Sequence, residues 1–242
     1  MKSVLFKHRS IRKYRSAPIP GDVLRDVLEA ATRASTCGNM QLYSLIVTQS
    51  RELREALAPC HFNQPMVTQA PCVITVCADV HRFSMWCEQR DAEPCYDNFA
   101  WFLNGVTDAL LAAQNLCVEA EAHGLGICYL GTTIYTAEEI ARILDLPKGV
   151  IPVTTIVVGH PDESPELTDR LPLDAVVHCE KYHHYTSSEI DELWAEKETS
   201  EETRRLLEEN GLPNLAQIFT RNRYRAEDNL AISRNYFALL KK

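Results

Sequence analysis

The chain has 242 residues and a formal net charge of −8, with 45% hydrophobic and 24% charged residues. This composition is that of a folded globular protein and excludes a disordered chain. The negative charge argues against nucleic acid or an anionic membrane surface as the main partner. Residues 1–5 are too short an apolar run for a signal peptide, and no run is long enough to span a bilayer. We therefore expect a cytoplasmic protein that does not bind membranes.

The nine cysteines are scattered along the chain, and no two of them have CxxC spacing. Several lie in apolar segments, where a free thiol behaves as a small hydrophobic group. We expect reduced, mostly structural thiols and no disulfide framework.

The N-terminal third begins with the polar cluster His-Arg-Ser-Ile-Arg at residues 8–12. An amphipathic helix is predicted to start at 18–22, because the apolar residues that follow have helical spacing. A polar loop at 35–41 then leads into a β-rich run at 42–48, which predicts a strand. A short helix at 51–57 and a second loop at 61–65 complete this part.

The middle of the chain contains a continuous apolar run at 72–77, typical of a strand covered on both faces. The segment 99–122 is apolar on almost every side, which predicts a helix buried in a core or an interface. A strand at 127–130, a helix at 137–144 and a strand at 152–158 follow. This order of elements predicts an α/β or α+β protein.

The remainder of the chain is polar and proline-rich to about 172, then charged and mostly helical from about 187. It is too polar to form a core of its own. We therefore predict a core at 1–185 and a helical extension at 186–242 that packs on the core or on a partner subunit.

The cluster at 8–12 places two guanidinium groups, an imidazole and a hydroxyl close together in an acidic protein. Arginine offers a planar fork of donors, and each charge-assisted bond to a phosphate is worth about 1.5–3 kcal/mol. The cluster predicts a local anion pocket. The alternative is a basic tail that stays in solvent.

The glycines at 124, 126 and 131 do not match the dinucleotide-binding fingerprint, because their spacing differs and the motif begins between a helix and a strand, not between a strand and a helix. Gly124 suits the C-terminal end of a helix, whereas Gly131 follows a strand, where a missing Cβ would let a flat ligand approach.

Two further sets of candidates lie in loops. Arg170 is in a loop restricted by prolines, and its alternative role is a solvated surface charge. Loop amides could complement a ring edge that carries both a donor and an acceptor, or they could simply form turns. These amides are Asn39, Gln41, Asn63 and Gln64.

Four segments, in this order, resemble the FMN-dependent nitroreductases, and more narrowly their NADPH-preferring flavin reductase and nitroreductase branch. They are the cluster at 8–12, the loop ending Asn-Met-Gln at 39–41, Gly-Leu-Gly-Ile-Cys-Tyr-Leu-Gly at 124–131, and Arg-Leu-Pro at 170–172. The resemblance runs from about 8 to 182. It implies an α+β fold with a central, mostly antiparallel sheet flanked by helices, and an intertwined homodimer with FMN at the subunit interface.

The resemblance also implies roles for particular residues. Arg12 should face the pyrimidine edge of the flavin near N1 and O2, where it would stabilise the negative charge of the reduced ring, and Gln64 should bind the same edge. The phosphate and ribityl chain should be bound by His8, Arg9, Ser10 and Arg170. The remaining cofactor contacts should come from Thr36, Cys37, Gly38, Tyr129, Leu130 and Gly131.

Two departures from the branch stand out. It usually has a lysine where this chain has Thr168, so one charged partner of the phosphate is lost and FMN binding should weaken. The serine-rich loop of the branch is only partly matched at Thr36–Gly38.

The implied activity is hydride transfer from NAD(P)H through bound FMN to nitroaromatics, quinones or free flavins, in a ping-pong cycle. No catalytic side chain is expected, because the redox chemistry belongs to the cofactor. The basic residues Arg221, Arg223 and Arg225 should bind the 2′-phosphate of NADPH. The alternative is an exposed cationic stretch before the last helix.

Other classes of function were weighed against this one. The cysteines and histidines at 87, 95, 178, 179, 183 and 184 fit no standard zinc spacing, so no metal is expected. Other possibilities are another flavin reaction on the same fold, such as dehydrogenation or reductive dehalogenation, and a flavin-binding module without activity.

Overall fold

A computed structural model describes residues 4–240 and divides the chain into two compact units. The first unit contains the chain up to Leu167 and again from Arg234, and the second is Thr168–Ser233. Residues 1–3, at the start of the apolar run 1–5, lie outside the described part of the chain. So do residues 241–242, at the end of the predicted extension 186–242. The division into 1–185 and 186–242 stays a prediction.

The first unit is built from a four-stranded sheet and the helices around it. The strands are β1 (Tyr43–Thr48), β2 (Cys72–Asp79), β3 (Gly126–Leu130) and β4 (Val150–Gly159). The helices are α1 (Gly21–Ala31), α2 (Arg51–Leu57), α3 (Met66–Gln69), α4 (His81–Glu88), α5 (Phe99–Ala122) and α6 (Ala137–Ile143).

The strands lie in the order β1-β2-β4-β3, and every neighbouring pair is antiparallel. The predicted α+β class and antiparallel sheet are therefore confirmed. An antiparallel sheet also lacks the parallel strands on which a dinucleotide-binding crossover is built.

The two faces of the sheet are covered by different parts of the chain. Residues Cys72, Ile74 and Val76 of β2 face α1 and α5 in the larger core cluster. The intervening Val73 faces the other way, in a cluster that contains residues of the N-terminal segment and of α3. Because successive side chains of a strand alternate between faces, the continuous apolar run of β2 is buried on both sides.

Helix α5 is buried along a line of small side chains that includes Ala109, Ala112 and Ala113. Its large residues Leu110 and Leu111 are 44% and 45% exposed. Helix α5 is therefore apolar on two faces: one packs on the sheet, and the other faces outward.

The second unit is helical and polar. It contains α7 (Ser187–Thr199), α8 (Glu201–Asn210) and α9 (Leu215–Ile218), and a final helix, α10, spans Ala226–Leu240. Helix α7 begins with a capping box, in which the Thr186 side chain and the Glu189 side chain each bind the other residue's backbone N–H. No helix within residues 4–240 is long and apolar enough to cross a membrane.

Candidate functional site

The N-terminal segment lies along the outer edge of β3. The Ile11 N–H donates to the carbonyl oxygen of Ile127 at 2.9 Å, and Ser10 forms a parallel bridge with the same residue. A Cβ on Gly126 would lie 2.7 Å from the Ile11 side chain, so only glycine permits this close approach. The pairing fixes the cluster at 8–12 beside the strand that ends at Gly131.

The His8 imidazole is held by α5. Its Nδ1 lies 2.7 Å from Oε1 of Glu121, whose side chain is 14% exposed. The carboxylate accepts a hydrogen bond from Nδ1–H, so Nε2 is the nitrogen that remains to meet a ligand. The sequence analysis predicts His8 as a phosphate ligand, and it did not anticipate the carboxylate that orients it.

Arg9 has an unsatisfied donor. Its Nε atom is buried and has no hydrogen-bond partner among the described residues. A buried donor without a partner is costly, and a charged one more so, which is why such groups are rare in folded proteins. An anion at this point would remove that cost, so the arrangement fits a phosphate.

The Arg12 side chain is exposed to solvent, while its backbone N–H is bound by a carboxylate. Glu163 Oε1 accepts hydrogen bonds from the backbone N–H groups of Arg12 and Lys13, at 2.5 and 3.1 Å. The turn of the cluster is therefore closed by the loop after β4, and the Arg12 guanidinium is left available.

The loop predicted to line the cofactor follows α1. Cys37 and Gly38 are exposed in it, and Gly38 has a positive φ of 54°. The Cys37 N–H donates to Oδ1 of Asp108 on α5 at 2.9 Å. Cys37 is therefore anchored through its backbone, while its side chain remains accessible.

Gln64 and Gly131, both predicted to contact the flavin ring, lie in two segments that are joined by hydrogen bonds. Nδ1 of His61 lies 2.8 Å from Oγ1 of Thr132, and the Thr136 hydroxyl donates to the carbonyl oxygen of Cys60 at 2.8 Å. These bonds link the chain just before Gln64 to the chain just after Gly131.

Gly131 opens onto free space, because a Cβ added there would meet no atom within 4 Å. The preceding Leu130 is buried, and Tyr129 is partly buried, with its hydroxyl donating to Oε1 of Gln114 at 3.4 Å. Burial raises the pKa of the Tyr129 phenol above its usual range. Packing within the chain does not require glycine at 131, so the open space there fits the approach of a flat ligand.

The remaining predicted residues belong to the second unit. The exposed Arg170 guanidinium donates to the carbonyl oxygens of Thr168 and Asp169, at 3.2 and 2.8 Å. Arg223 lies over the Phe219 ring, with 5.5 Å between its guanidinium carbon and the ring centroid. Roles of this unit in binding phosphates stay predictions.

Two further arginines of the tail differ in their partners. Arg225 pairs with the carboxylates of Glu227 and Asp228. Arg221 is exposed and has no side-chain partner among residues 4–240.

The cysteines are free thiols, and six of the nine are buried. Burial raises the pKa of Cys72, Cys77 and Cys117 to about 12, so these thiols are protonated at neutral pH. Within residues 4–240, no group of three or more His, Cys, Asp and Glu side chains could hold a metal ion.

The sequence analysis missed three polar residues around the predicted site: the buried His61 and Asp108, and the partly buried Glu121. Only Asp108 has a visible signal, since it is a single charge within the largely apolar stretch 105–113. Charged residues are almost never fully buried without partners, so such a position points to a specific contact.

Comparison with known proteins gives one consistent family. The model of the Nitroreductase family matches residues 5–101 and 58–160. A Staphylococcus aureus protein named NADPH-dependent oxidoreductase is 36% identical over 181 residues, which cover 73% of this chain and 72% of that protein.

Solved structures similar to this chain point to the same class of enzyme. A protein from Bacteroides fragilis provisionally described as an oxidoreductase has a TM-score of 0.96 and 48% identity, covering 98% of this chain and 96% of that one. The NADPH:FMN oxidoreductase from Vibrio harveyi, solved with NAD+, has a TM-score of 0.76 and 25% identity, covering 96% and 95%. The resemblance stated from the sequence is confirmed.

Proposed function

The chain belongs to the nitroreductase family and is an NAD(P)H-dependent oxidoreductase, and we propose on this premise that it works through bound FMN. Its acceptors would be flat, electron-poor molecules: nitroaromatics, quinones or free flavins. When bound, FMN supplies the hydride acceptance and donation that no side chain of the protein can perform.

The observation that carries this proposal is the buried Nε of Arg9, which has no partner among the described residues. The phosphate of FMN carries about −1.5 to −2 charges near neutral pH, and an acidic protein needs a local cationic pocket to hold it. Arg9 would donate to the phosphate, with His8 and Ser10 beside it. Arg170 would supply a further charge.

The flavin ring would lie against the open end of β3 at Gly131, where the absence of a side chain leaves room. Gln64 can offer both a donor and an acceptor to the pyrimidine edge. The exposed Arg12 guanidinium would provide positive charge near N1 and so favour the reduced ring. Thr36 and Cys37 would line the other side.

We propose NADPH as the preferred donor, bound through its 2′-phosphate by Arg221, Arg223 and Arg225. Arg221 is the best placed of the three because the other two already have partners within their own unit. Donor and acceptor would occupy the same position in turn, which gives ping-pong kinetics.

The proposed assembly is a homodimer in the cytoplasm. The outward face of α5 exposes Leu103, Leu110 and Leu111, at 47%, 44% and 45%. Contiguous exposed apolar side chains on a helix mark a contact surface. A second copy of this chain would cover them and complete the flavin site.

The direct test is flavin loading followed by reduction. Full-length protein stripped of ligand and titrated with FMN should bind one flavin per chain, and NADPH should bleach the flavin absorption under anaerobic conditions. NADH should bleach it more slowly. Protein that takes up no FMN would overturn the proposal, and FMN that stays oxidised with both nucleotides would point instead to a binding module without reductase activity.

A further inference from the structure

We propose that Asp108 is a positioning residue that holds the loop 36–42 in its cofactor-binding form before any cofactor is bound. The inference rests on the proposed flavin function and concerns how that site is prepared. It starts from three observations: a strained loop, a buried carboxylate that binds both ends of it, and a guanidinium that binds its carbonyl groups.

The loop contains three residues in the left-handed region of backbone conformation. These are Gly38, Asn39 and Gln41, with φ values of 54°, 55° and 54°. A residue with a Cβ costs about 1–2 kcal/mol in this region, and asparagine less than most, so the conformation at Asn39 and above all at Gln41 is held in part by the surroundings. Strain of this kind concentrates at binding sites, because it fixes groups where a ligand needs them.

The Asp108 carboxylate supplies the restraint from α5. Its side chain is 1% exposed, and its two oxygens bind the two ends of the loop. Oδ1 accepts from the Cys37 N–H at 2.9 Å, and Oδ2 accepts from the Leu42 N–H at 3.0 Å. Both bonds are charge-assisted, and a carboxylate is the one short side chain that offers two acceptor oxygens without a donor.

Arg82, in the first turn of α4, binds the opposite groups of the loop. One guanidinium nitrogen donates to the carbonyl oxygens of Gln41 and Tyr43, at 2.5 and 3.1 Å. The nearly buried carboxylate of Asp79 lies 3.4 Å from the other terminal nitrogen and so holds Arg82 in place. The Cys37 and Leu42 N–H groups are therefore held by a carboxylate from α5. The carbonyl groups of Gln41 in the loop and of Tyr43 at the start of β1 are held by a guanidinium from α4.

The consequence concerns the part of the loop that faces outward. With its two ends fixed, the exposed segment 37–39 already has the conformation that a ligand would meet. Ordering a loop on binding reduces affinity, so a loop ordered in advance raises it. The hydrogen bonds from Asp108 to this loop go to backbone N–H groups, so Asp108 would act on flavin affinity through loop geometry.

The test compares Asp108→Asn with Glu119→Gln. Asn has nearly the same shape as Asp but keeps one acceptor and places an NH2 group against the second backbone N–H. Glu119 lies on the same helix and pairs with His123 instead of the loop, so its amide variant is the matched control. Hydrogen exchange of the Cys37 and Leu42 amides is measured in flavin-free protein, and FMN affinity is measured by quenching of flavin fluorescence.

We expect Asp108→Asn to speed exchange at these two amides and to weaken FMN binding about tenfold, while Glu119→Gln changes neither. Adding Asn39→Gly to the Asp108 variant should recover part of the affinity, because it removes one of the strained positions. If Asp108→Asn keeps the amide exchange rates and the FMN affinity of the wild type, the inference is overturned.

Two controls keep the inference separate from the function on which it rests. If Asp108→Asn does not fold, the flavin-free wild type still provides a test. Rapid exchange of its Cys37 and Leu42 amides would overturn the proposal that Asp108 holds the loop. If the wild type binds no FMN, the proposed function fails, and the exchange data alone decide whether Asp108 holds the loop.

Discussion

At the scale of single residues, His61 shows how burial controls a titratable group near the predicted flavin site. Its side chain is fully buried, Nδ1 is bonded to Thr132, and Nε2 has no partner among the described residues. Burial lowers the pKa of His61 to about 4, so the imidazole is neutral at pH 7. A neutral ring can hold Thr132 without bringing a charge close to the flavin.

This burial predicts a pH dependence of stability. The pKa of His61 is near 6.5 when the chain is unfolded and about 4 when it is folded, so the unfolded state binds more protons between these values. The stabilising effect of neutral His61 is therefore complete above pH 6.5. The free energy of unfolding decreases as the pH drops from 6.5 towards 4. The loss from this one group is about 3 kcal/mol between pH 7 and pH 4.

Urea unfolding of the wild type and of His61→Asn at pH 7 and pH 4 measures this effect. Asn places a polar atom near the position of Nδ1 but does not titrate. The wild type should lose about 3 kcal/mol more than the variant on acidification. Equal losses in the two proteins would show that His61 is not held neutral by its surroundings.

At the scale of elements, local sequence patterns predicted the ends of α5 correctly, but they could not predict contacts between distant segments. Asn98 caps the start of α5, with its side chain accepting the Trp101 N–H, and Gly124 follows its end with a φ of 74°. The predicted span 99–122, taken from its apolar residues and the glycines that follow, is the observed one, whereas the Asn98 cap was not predicted. The strands β1 to β4 were likewise predicted to within two residues at each end, because each is a run rich in apolar and β-branched residues.

Other elements gave no such signal. Helices α3 and α4 are short and have no clear helical periodicity, so the sequence analysis predicted neither. The pairing of Ile11 with Ile127 joins positions 116 residues apart, and the bonds of Asp108 to the loop at 37–42 span 66 to 71 residues. A pattern along the chain cannot place such contacts. The resemblance to a family pointed to the segments that contain Ile11 and Ile127, but it gave no indication of Asp108.

The outward face of α5 leads to a prediction about assembly. Leu110→Glu with Leu111→Glu should convert the proposed dimer, at twice the chain mass of 27.4 kDa, to a monomer. Two buried charges in an apolar contact are not tolerated without partners. Light scattering after gel filtration measures the mass, and Ala56→Glu on the exposed side of α2 is the matched control.

The same variant should also lose bound flavin if the site needs both subunits. A monomeric wild type, or a double variant that stays dimeric, would contradict this use of α5.

At the scale of the whole molecule, the main feature is a cationic cluster in a protein with a net charge of −8. The overall charge repels a phosphate, so binding depends on a few groups held at short range. The fold provides them by pairing residues 8–12 with the edge of β3, by orienting His8 through Glu121, and by burying Nε of Arg9 without a partner among residues 4–240.

The measurement that tests this most directly is the difference in affinity between FMN and riboflavin, which lacks the phosphate. The wild type should bind FMN much more tightly than riboflavin. Arg9→Ala should reduce that preference by about 10–100-fold, since a charge-assisted bond to phosphate is worth about 1.5–3 kcal/mol, and it should leave riboflavin affinity unchanged. Arg25→Ala, on the exposed face of α1 and paired with Glu29, should behave as the wild type. An Arg9→Ala protein that keeps the full preference for FMN would contradict the phosphate site, and with it the proposed basis of cofactor binding.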